Sequence, residues 1–306
     1  MERLKMSQEL TKIIFFGSGP VAARSLELLL PSFDIEAVIT KPKTADEMKS
    51  VTPKTSIYTV SARQELDQIL VNSDFKSTVA ILIDFGIIVS QSVIDYFSDG
   101  IINSHFSLLP QLRGADPITF AILSGQKQTG VSLMLLVERM DEGPLLAQTI
   151  YTIPNGSTTP ELTSALLELS ASELKTIIPL YLKHEITPVP QTQGNVIGDI
   201  KPSYSRKLTK EDGIINWTKP ALLLEREIRA FIEWPKSHTT LGGREIILTQ
   251  AAVSNKKGQP PGTVHIEGQQ LYVYGGDGSL EIKRLKPAGK PEMSVIAFLA
   301  GYRQLL

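Results

Sequence analysis

The stretch that decides the fold is residues 101–114, IINSHFSLLPQLRG. It opens with two apolar residues that predict the end of a buried strand, and Asn103 and His105 follow at the strand's carboxyl edge. A turn with Pro110 and then Arg113-Gly114 leads into a predicted helix. Because ligands of open α/β sheets bind just outside the carboxyl ends of the strands, the amide and the imidazole are expected to face one cleft.

Towards the N-terminus, the chain predicts a doubly wound, Rossmann-like α/β domain. Residues 11–16 form an apolar first strand, and Gly17, Gly19 and Ala22 complete a strand, G-x-G-x-x-A, helix pattern. The second predicted strand ends at Thr40 and is followed by lysine and proline, without the acidic residue that binds the ribose of NAD. This domain is therefore expected to bind no dinucleotide. Residues 41–55 are polar and predict a loop.

Towards the C-terminus, Asp141 lies between two apolar runs, residues 131–137 and 145–153, that predict strands. An aspartate that meets His105 in space would orient the imidazole and favour its charged form. Asn103, His105 and Asp141 are therefore the predicted catalytic group. Ser107 lacks the G-x-S-x-G context of a nucleophile. A metal site is not expected, because the chain has no cysteine and His105 has no partner at ligand spacing.

Two motifs carry a family resemblance. N-x-H-x-S-L-L-P-x-x-R-G at residues 103–114, with M-D-E-G-P-L-L at residues 140–146, resembles the 10-formyltetrahydrofolate-dependent formyltransferases. Residues 228–235, IRAFIEWP, and residues 284–294, RLKPAGKPEMS, look like the C-terminal domain of the members that act on methionyl-tRNA. The resemblance implies formyl transfer from 10-formyltetrahydrofolate to initiator methionyl-tRNA, without a metal, for translation initiation.

The resemblance also implies further site residues. Those expected to bind the folate co-substrate are Phe85, Gly86, Ile87, Val137 and Met140, and those expected on the substrate side are Ser107, Leu108, Leu109 and Pro110. Phe106 departs from the proline or glycine that is common in the family.

The chemistry of formyl transfer explains the expected roles. Attack by an amine places negative charge on the formyl oxygen, so the reaction needs a donor to that oxygen and a group that moves protons near neutral pH. The Asn103 amide supplies the donor, His105 moves the protons, and Asp141 holds His105. Two alternatives stay open: an N-formyltransferase that acts on an amino sugar nucleotide, and a tRNA-binding protein without catalysis.

Length and charge predict two domains. A chain of 306 residues is long enough for two cores. Residues 1–200 contain 15 Lys and Arg against 22 Asp and Glu, whereas residues 201–306 contain 16 against 10. We predict a catalytic domain over residues 1–186, a linker rich in Pro and Gly over residues 187–206, and a C-terminal domain over residues 207–306. Short strands between glycine turns make the last domain a small β-barrel, OB-like, and its basic excess predicts contact with tRNA.

The predicted localisation rests on the lack of a signal-peptide pattern and of a membrane-spanning run in the sequence. Residues 1–12 lack the apolar core of a signal peptide, and no apolar run reaches the roughly 20 residues that span a bilayer. A monomer in the cytoplasm, without contact with a membrane, is therefore expected.

Overall fold

A computed structural model describes residues 10–193 and 201–306 of the chain. Residues 1–9, on which the signal-peptide expectation rests, and residues 194–200 of the predicted linker lie outside the described residues. The chain forms two compact units. The first comprises Met1–Gly114, Gln128–Thr152 and Thr163–Tyr204, and the second comprises Ala115–Lys127, Ile153–Leu162 and Ser205–Leu306.

The strands and helices follow one another in the predicted α/β order and then in a run of antiparallel strands. The strands are β1 (Thr11–Gly17), β2 (Phe33–Thr40), β3 (Ser56–Thr59), β4 (Val79–Ile83), β5 (Ile101–His105), β6 (Arg113–Gly114), β7 (Gln128–Leu135), β8 (Leu145–Thr152), β9 (Tyr204–Ser205), β10 (Ser237–Leu241), β11 (Arg244–Ser254), β12 (Val264–Glu267), β13 (Gln270–Tyr274), β14 (Ser279–Pro287) and β15 (Met293–Ser294). The α-helices are α1 (Pro20–Leu29), α2 (Ala45–Val51), α3 (Arg63–Val71), α4 (Gln91–Tyr96), α5 (Pro117–Leu123), α6 (Thr159–Leu182), α7 (Ala221–Ala230) and α8 (Val295–Tyr302).

The first unit is built on a seven-stranded sheet in the order β3-β2-β1-β4-β5-β7-β8. The pairs from β3 to β5 are parallel, and β7 and β8 are antiparallel additions. The predicted doubly wound fold is thereby confirmed. All residues of β4 and β5 are buried. Burial on both faces explains why neither strand alternates between apolar and polar residues: β4 is apolar throughout, and β5 is apolar up to its polar carboxyl end.

The prediction that residues 41–55 form a loop is wrong in part. A 3-10 turn, Pro42–Thr44, runs directly into helix α2. Asp46 and Glu47 lie in the first turn of the helix, where carboxylates are favoured, and Met48 is fully buried. Burial of this one methionine depends on contacts that are distant in sequence, so the composition of the segment does not indicate it.

The second unit contains the predicted antiparallel sheet. Its order is β10-β11-β14-β13-β12, with β15 paired to β14, and its closure into a barrel stays a prediction. The side chains of α7, α8 and the sheet form a separate apolar core. Segments 115–127 and 153–162, which the sequence assigns to the first domain, belong to this unit, since α5 packs against α7.

Candidate active site

Asn103 and His105 project from the carboxyl end of β5, as the sequence predicts. Asn103 pairs with Leu82 of the parallel neighbour β4, and His105 pairs with Ser132 of β7. Residues two apart on a strand share a face, so the amide and the imidazole lie on the same side of the sheet. Both side chains are buried, with 7% and 6% of their residues' surface exposed.

Asp141 meets both of these residues. It lies in the loop between β7 and β8 and is 8% exposed. Its Oδ2 accepts a short hydrogen bond of 2.6 Å from the backbone N–H of Gly114. Its Oδ1 is 3.4 Å from the donating Nδ2 of Asn103 and 3.8 Å from Nδ1 of His105. Asn103, His105 and Asp141 therefore form one buried cluster.

The orientation of the imidazole is set by a group that the sequence does not reveal. Nε2 of His105 is 2.9 Å from the carbonyl oxygen of Leu112. A carbonyl only accepts, so Nε2 carries the hydrogen and Nδ1 is the nitrogen that faces Asp141. At 3.8 Å the carboxylate acts on Nδ1 through its charge rather than through a direct hydrogen bond.

Two backbone conformations at the site are unusual. Leu112 and Asp141 have φ values of +53° and +54°, in the left-handed region that non-glycine residues seldom adopt. Such conformations persist where the surrounding structure holds them, and they are frequent at functional sites. Here the first aims a carbonyl at His105 and the second turns a carboxylate towards it.

The predicted substrate-side residues Ser107, Leu108, Leu109 and Pro110 are all buried. Ser107 donates to the carbonyl of Gln111 at 2.5 Å, so its hydroxyl closes the turn. Ser132 Oγ accepts from the N–H of Leu109 and donates to the carbonyl of Ser107. These side chains shape and anchor the turn, and their contact with a substrate stays a prediction.

The predicted folate residues fall into two groups. The Phe85 side chain is 1% exposed and packs edge-on against Phe16 at 5.5 Å in the core, and Ile87 packs on the same cluster. Gly86 is exposed, and a Cβ built on it would lie 2.6 Å from Lys41 Nζ. Strand β7 ends at Leu135, two residues earlier than expected.

The last two folate residues therefore lie in the loop after β7. Val137 is half-buried there and Met140 is 65% exposed. Neither the core position of Phe85 nor the exposure of Met140 tests folate binding, so this set stays a prediction.

Gln191 is a second residue that sequence reasoning missed. Its side chain is 5% exposed, and Nε2 donates to the backbone carbonyls of Asp141 and Gly143. It lies 50 residues after Asp141 in a segment rich in proline that is typical of a linker, so no local pattern connects it to the site.

Neither a metal cluster nor a membrane-spanning helix occurs in the described part of the chain. Over residues 10–193 and 201–306, no group of three or more His, Asp or Glu side chains could hold a metal ion. Within the same two ranges, no helix has the length and apolar character needed to cross a membrane.

Comparisons with known proteins cover almost the whole chain. A family model described as Formyl transferase matches residues 12–178, and one described as Formyl transferase, C-terminal domain, matches residues 207–303. The methionyl-tRNA formyltransferase of Myxococcus xanthus is 34% identical in an alignment 311 positions long, which covers 95% of each chain. That of Listeria welshimeri is 30% identical in an alignment 305 positions long, which covers 95% of this chain and 96% of the relative.

A solved structure gives the same fold. The N-formyltransferase of Helicobacter canadensis, in complex with folinic acid and dTDP-3-aminofucose, superposes with a TM-score of 0.66 at 19% identity. The match covers 90% of this chain and 98% of that one. At this identity the likeness shows the fold alone.

Proposed function

The chain belongs to the formyl transferase family, and from this premise we propose that it transfers the formyl group of 10-formyltetrahydrofolate to the amino group of initiator methionyl-tRNA. The family uses formyl-tetrahydrofolate as donor, so the folate and the acceptor are both substrates. The observation that carries the proposal is the buried cluster of Asn103, His105 and Asp141 at the carboxyl edge of the sheet.

Asn103 stabilises the charge that develops on the formyl oxygen. When the amine attacks the formyl carbon, the C–N bond forms and the carbonyl electron pair moves to oxygen. A primary amide has two N–H bonds, and one of those on Asn103 is directed at Asp141 Oδ1. The other supplies a neutral donor for the oxyanion in a site from which water is largely excluded, where such donors are most effective.

His105 moves the proton that the reaction displaces. Its Nε2–H is committed to the carbonyl of Leu112, so Nδ1 carries the free electron pair of the neutral ring. Nδ1 takes the proton that the attacking amine loses, and the negative carboxylate of Asp141 stabilises the resulting imidazolium. The same proton is then delivered to N10 of the folate as its bond to the formyl carbon breaks.

The methionyl-tRNA acceptor rests on the relatives and on charge. The two methionyl-tRNA formyltransferases match over 95% of the chain, including its C-terminal domain. Residues 201–306 have six more basic than acidic side chains, as expected of a domain that meets a polyanion. The proposal includes action as a monomer in the cytoplasm, where translation is initiated.

A second candidate acceptor is an amino sugar nucleotide. The fold shared with the Helicobacter canadensis enzyme, which was solved with dTDP-3-aminofucose, favours it. The same cluster would serve that reaction, because only the amine differs.

The test is formyl transfer from 10-formyltetrahydrofolate to methionyl-tRNA and, separately, to dTDP-3-aminofucose. The wild-type protein is compared with His105→Ala, with Asp141→Asn and with His184→Asn. His184 is exposed and has a φ of +60°, which asparagine tolerates, so this variant controls for the loss of a histidine.

We expect transfer to tRNA by the wild type and the control and a much lower but still measurable kcat in the other two variants. Transfer to the sugar nucleotide but not to tRNA would show that the acceptor is an amino sugar nucleotide instead of methionyl-tRNA. Binding of tRNA without transfer to either acceptor would support the alternative that the chain is a tRNA-binding protein without catalysis.

A further inference from the structure

We propose that Gln191 is a positioning residue of the active site, which acts by holding the backbone around Asp141. This inference rests on the proposed function, since it assigns Gln191 a role through Asp141. Gln191 lies beyond the end of α6, in a segment that the sequence predicts to be a linker.

The contacts of Gln191 use its whole amide group. Nε2 donates to the carbonyl oxygen of Asp141 at 2.7 Å and to that of Gly143 at 3.0 Å. Oε1 accepts from Nη2 of Arg113 at 2.6 Å. A primary amide has two donor hydrogens, so both are used on one three-residue loop.

These contacts join the two segments that carry the site. Arg113 also donates through Nη1 to Oε1 of Glu142 at 3.0 Å, and Gly114, the next residue, donates its N–H to the Asp141 carboxylate. Three hydrogen bonds, together with the peptide bond between Arg113 and Gly114, thus close a ring through Gln191 and Asp141. The ring connects the turn that follows His105 with the loop that carries the carboxylate.

Gln191 is itself held in place by backbone pairing. Val189 and Leu145, the first residue of β8, exchange two hydrogen bonds of 2.7 and 2.9 Å. The N–H of Gln193 donates to the carbonyl of Pro190 at 2.8 Å and closes a turn around Gln191. The segment that carries the Gln191 amide is therefore fixed to the edge of the sheet by backbone hydrogen bonds.

The left-handed backbone of Asp141 explains why such support is needed. A non-glycine residue with a φ of +54° relaxes unless its neighbours fix it. The carbonyls of Asp141 and Gly143 are on either side of Glu142, and hydrogen bonds to both fix the two peptide planes of the loop. Without Gln191, the backbone of Asp141 loses this support, and the carboxylate, held only by the N–H of Gly114 and the amide of Asn103, can shift relative to Nδ1 of His105.

The experiment is a double-mutant cycle on kcat and KM. Gln191→Leu removes both donors, and Gln191→Glu keeps the acceptor for Arg113 while it removes the donors. Each is measured alone and combined with Asp141→Asn. Gln193→Ala is the matched control, because Gln193 is exposed two residues further along the same segment.

We expect Gln191→Leu and Gln191→Glu to lower kcat about 100-fold, the scale of a misplaced reacting group, with KM for both substrates within a few-fold of the wild type. In the Asp141→Asn background neither should lower kcat further, because residues that act as a unit are not additive. If Gln191→Leu fails to fold, the isosteric Gln191→Glu variant decides.

Three results would overturn the proposal: wild-type kcat in Gln191→Glu, a rise in KM at unchanged kcat, or a full additional loss in the double mutant. If Asp141→Asn alone leaves kcat unchanged, the catalytic role of the cluster fails instead. The two failures are therefore distinguishable.

Discussion

At the scale of single residues, the proposed role of the Asn103 amide predicts a specific change in kcat. Asn103→Ala removes the donor that we propose for the oxyanion and leaves the Asp141 carboxylate bound to the N–H of Gly114. Loss of one such donor costs about 3 kcal/mol in transition-state energy, so kcat should fall by about 100- to 1,000-fold with KM little changed. Steady-state kinetics with methionyl-tRNA measures both. An unchanged kcat would show that the oxyanion is stabilised by other groups.

Gly143 lies where the neighbouring backbone leaves no room for a side chain. A Cβ at this position would lie 1.7 Å from the carbonyl oxygen of Leu135, a contact that no adjustment of a side chain relieves. Gly143→Ala should therefore displace the loop that carries Asp141 and lower kcat by about 100-fold, the scale expected for misplaced reacting groups. Formyl-transfer kinetics and thermal unfolding together measure the effect.

Gly301 provides the control for this substitution. It lies in α8, and no heavy atom is within 4 Å of the position that a Cβ would take, so Gly301→Ala should leave kcat unchanged. Equal activities of the two alanine variants would contradict the steric argument.

The residues of the proposed active site are predictable from sequence to different degrees. Asn103 and His105 are two apart at the end of an apolar strand, so a local pattern places them on one face. The position of Asp141 between two predicted strands indicates it less directly. The carbonyl of Leu112 and the amide of Gln191 are not predictable, because the first is a backbone group and the second comes from a segment without periodicity.

At the scale of elements, the short 3-10 helix Lys210–Gly213 depends on one carboxylate. Asp212 accepts from the N–H of Thr209 at 2.8 Å and from two guanidinium nitrogens of Arg206 at 2.8 and 2.5 Å. The Arg206 guanidinium and the Thr209 N–H lower the pKa of Asp212 well below its usual range, although partial burial opposes them. Arg206 is more than half exposed, so solvent screens part of this interaction.

Asp212→Asn should lower the free energy of unfolding by about 1 kcal/mol at neutral pH. A carboxylate with a lowered folded-state pKa contributes its full stabilisation above the unfolded value of about 4 and loses it as the pH falls from there through the folded value. The difference between wild type and variant should therefore be constant from about pH 8 to 5 and shrink below about pH 4.

Urea unfolding followed by tryptophan fluorescence measures this difference. Both tryptophans of the chain, Trp217 and Trp234, are in the second unit, so the signal reports on the unit that contains Asp212. A difference that grows as the pH falls would reverse the sign that we assign.

Elements are predicted well where periodicity or burial is continuous. Strands β1, β7 and β8 lie within a few residues of their predicted positions, and Ser294 caps α8 by accepting from the N–H of Ala297. Helix α2 escapes prediction, because a seven-residue segment with four charged or hydroxyl side chains has no strong apolar period. Its formation follows from the burial of Met48, which tertiary packing decides.

At the scale of the whole molecule, the charge distribution predicts how KM for each of the two proposed substrates depends on salt. The basic excess is confined to residues 201–306, whereas residues 1–200 are acidic. Binding of a polyanion through Lys and Arg releases counterions and weakens steeply with ionic strength. Between about 50 and 200 mM salt, KM for methionyl-tRNA should rise at least roughly tenfold, while KM for the formyl donor changes little.

Two charge reversals locate this effect. Lys290 and Lys183 are both exposed, the first in the second unit and the second in the first unit. We expect Lys290 to meet a phosphate of the tRNA, so Lys290→Glu should raise KM for tRNA and reduce its dependence on salt by about one counterion. Lys183→Glu should leave both quantities unchanged. Equal effects of the two reversals would mean that net charge alone governs tRNA binding, and a KM independent of salt would remove the basic domain from the interface altogether.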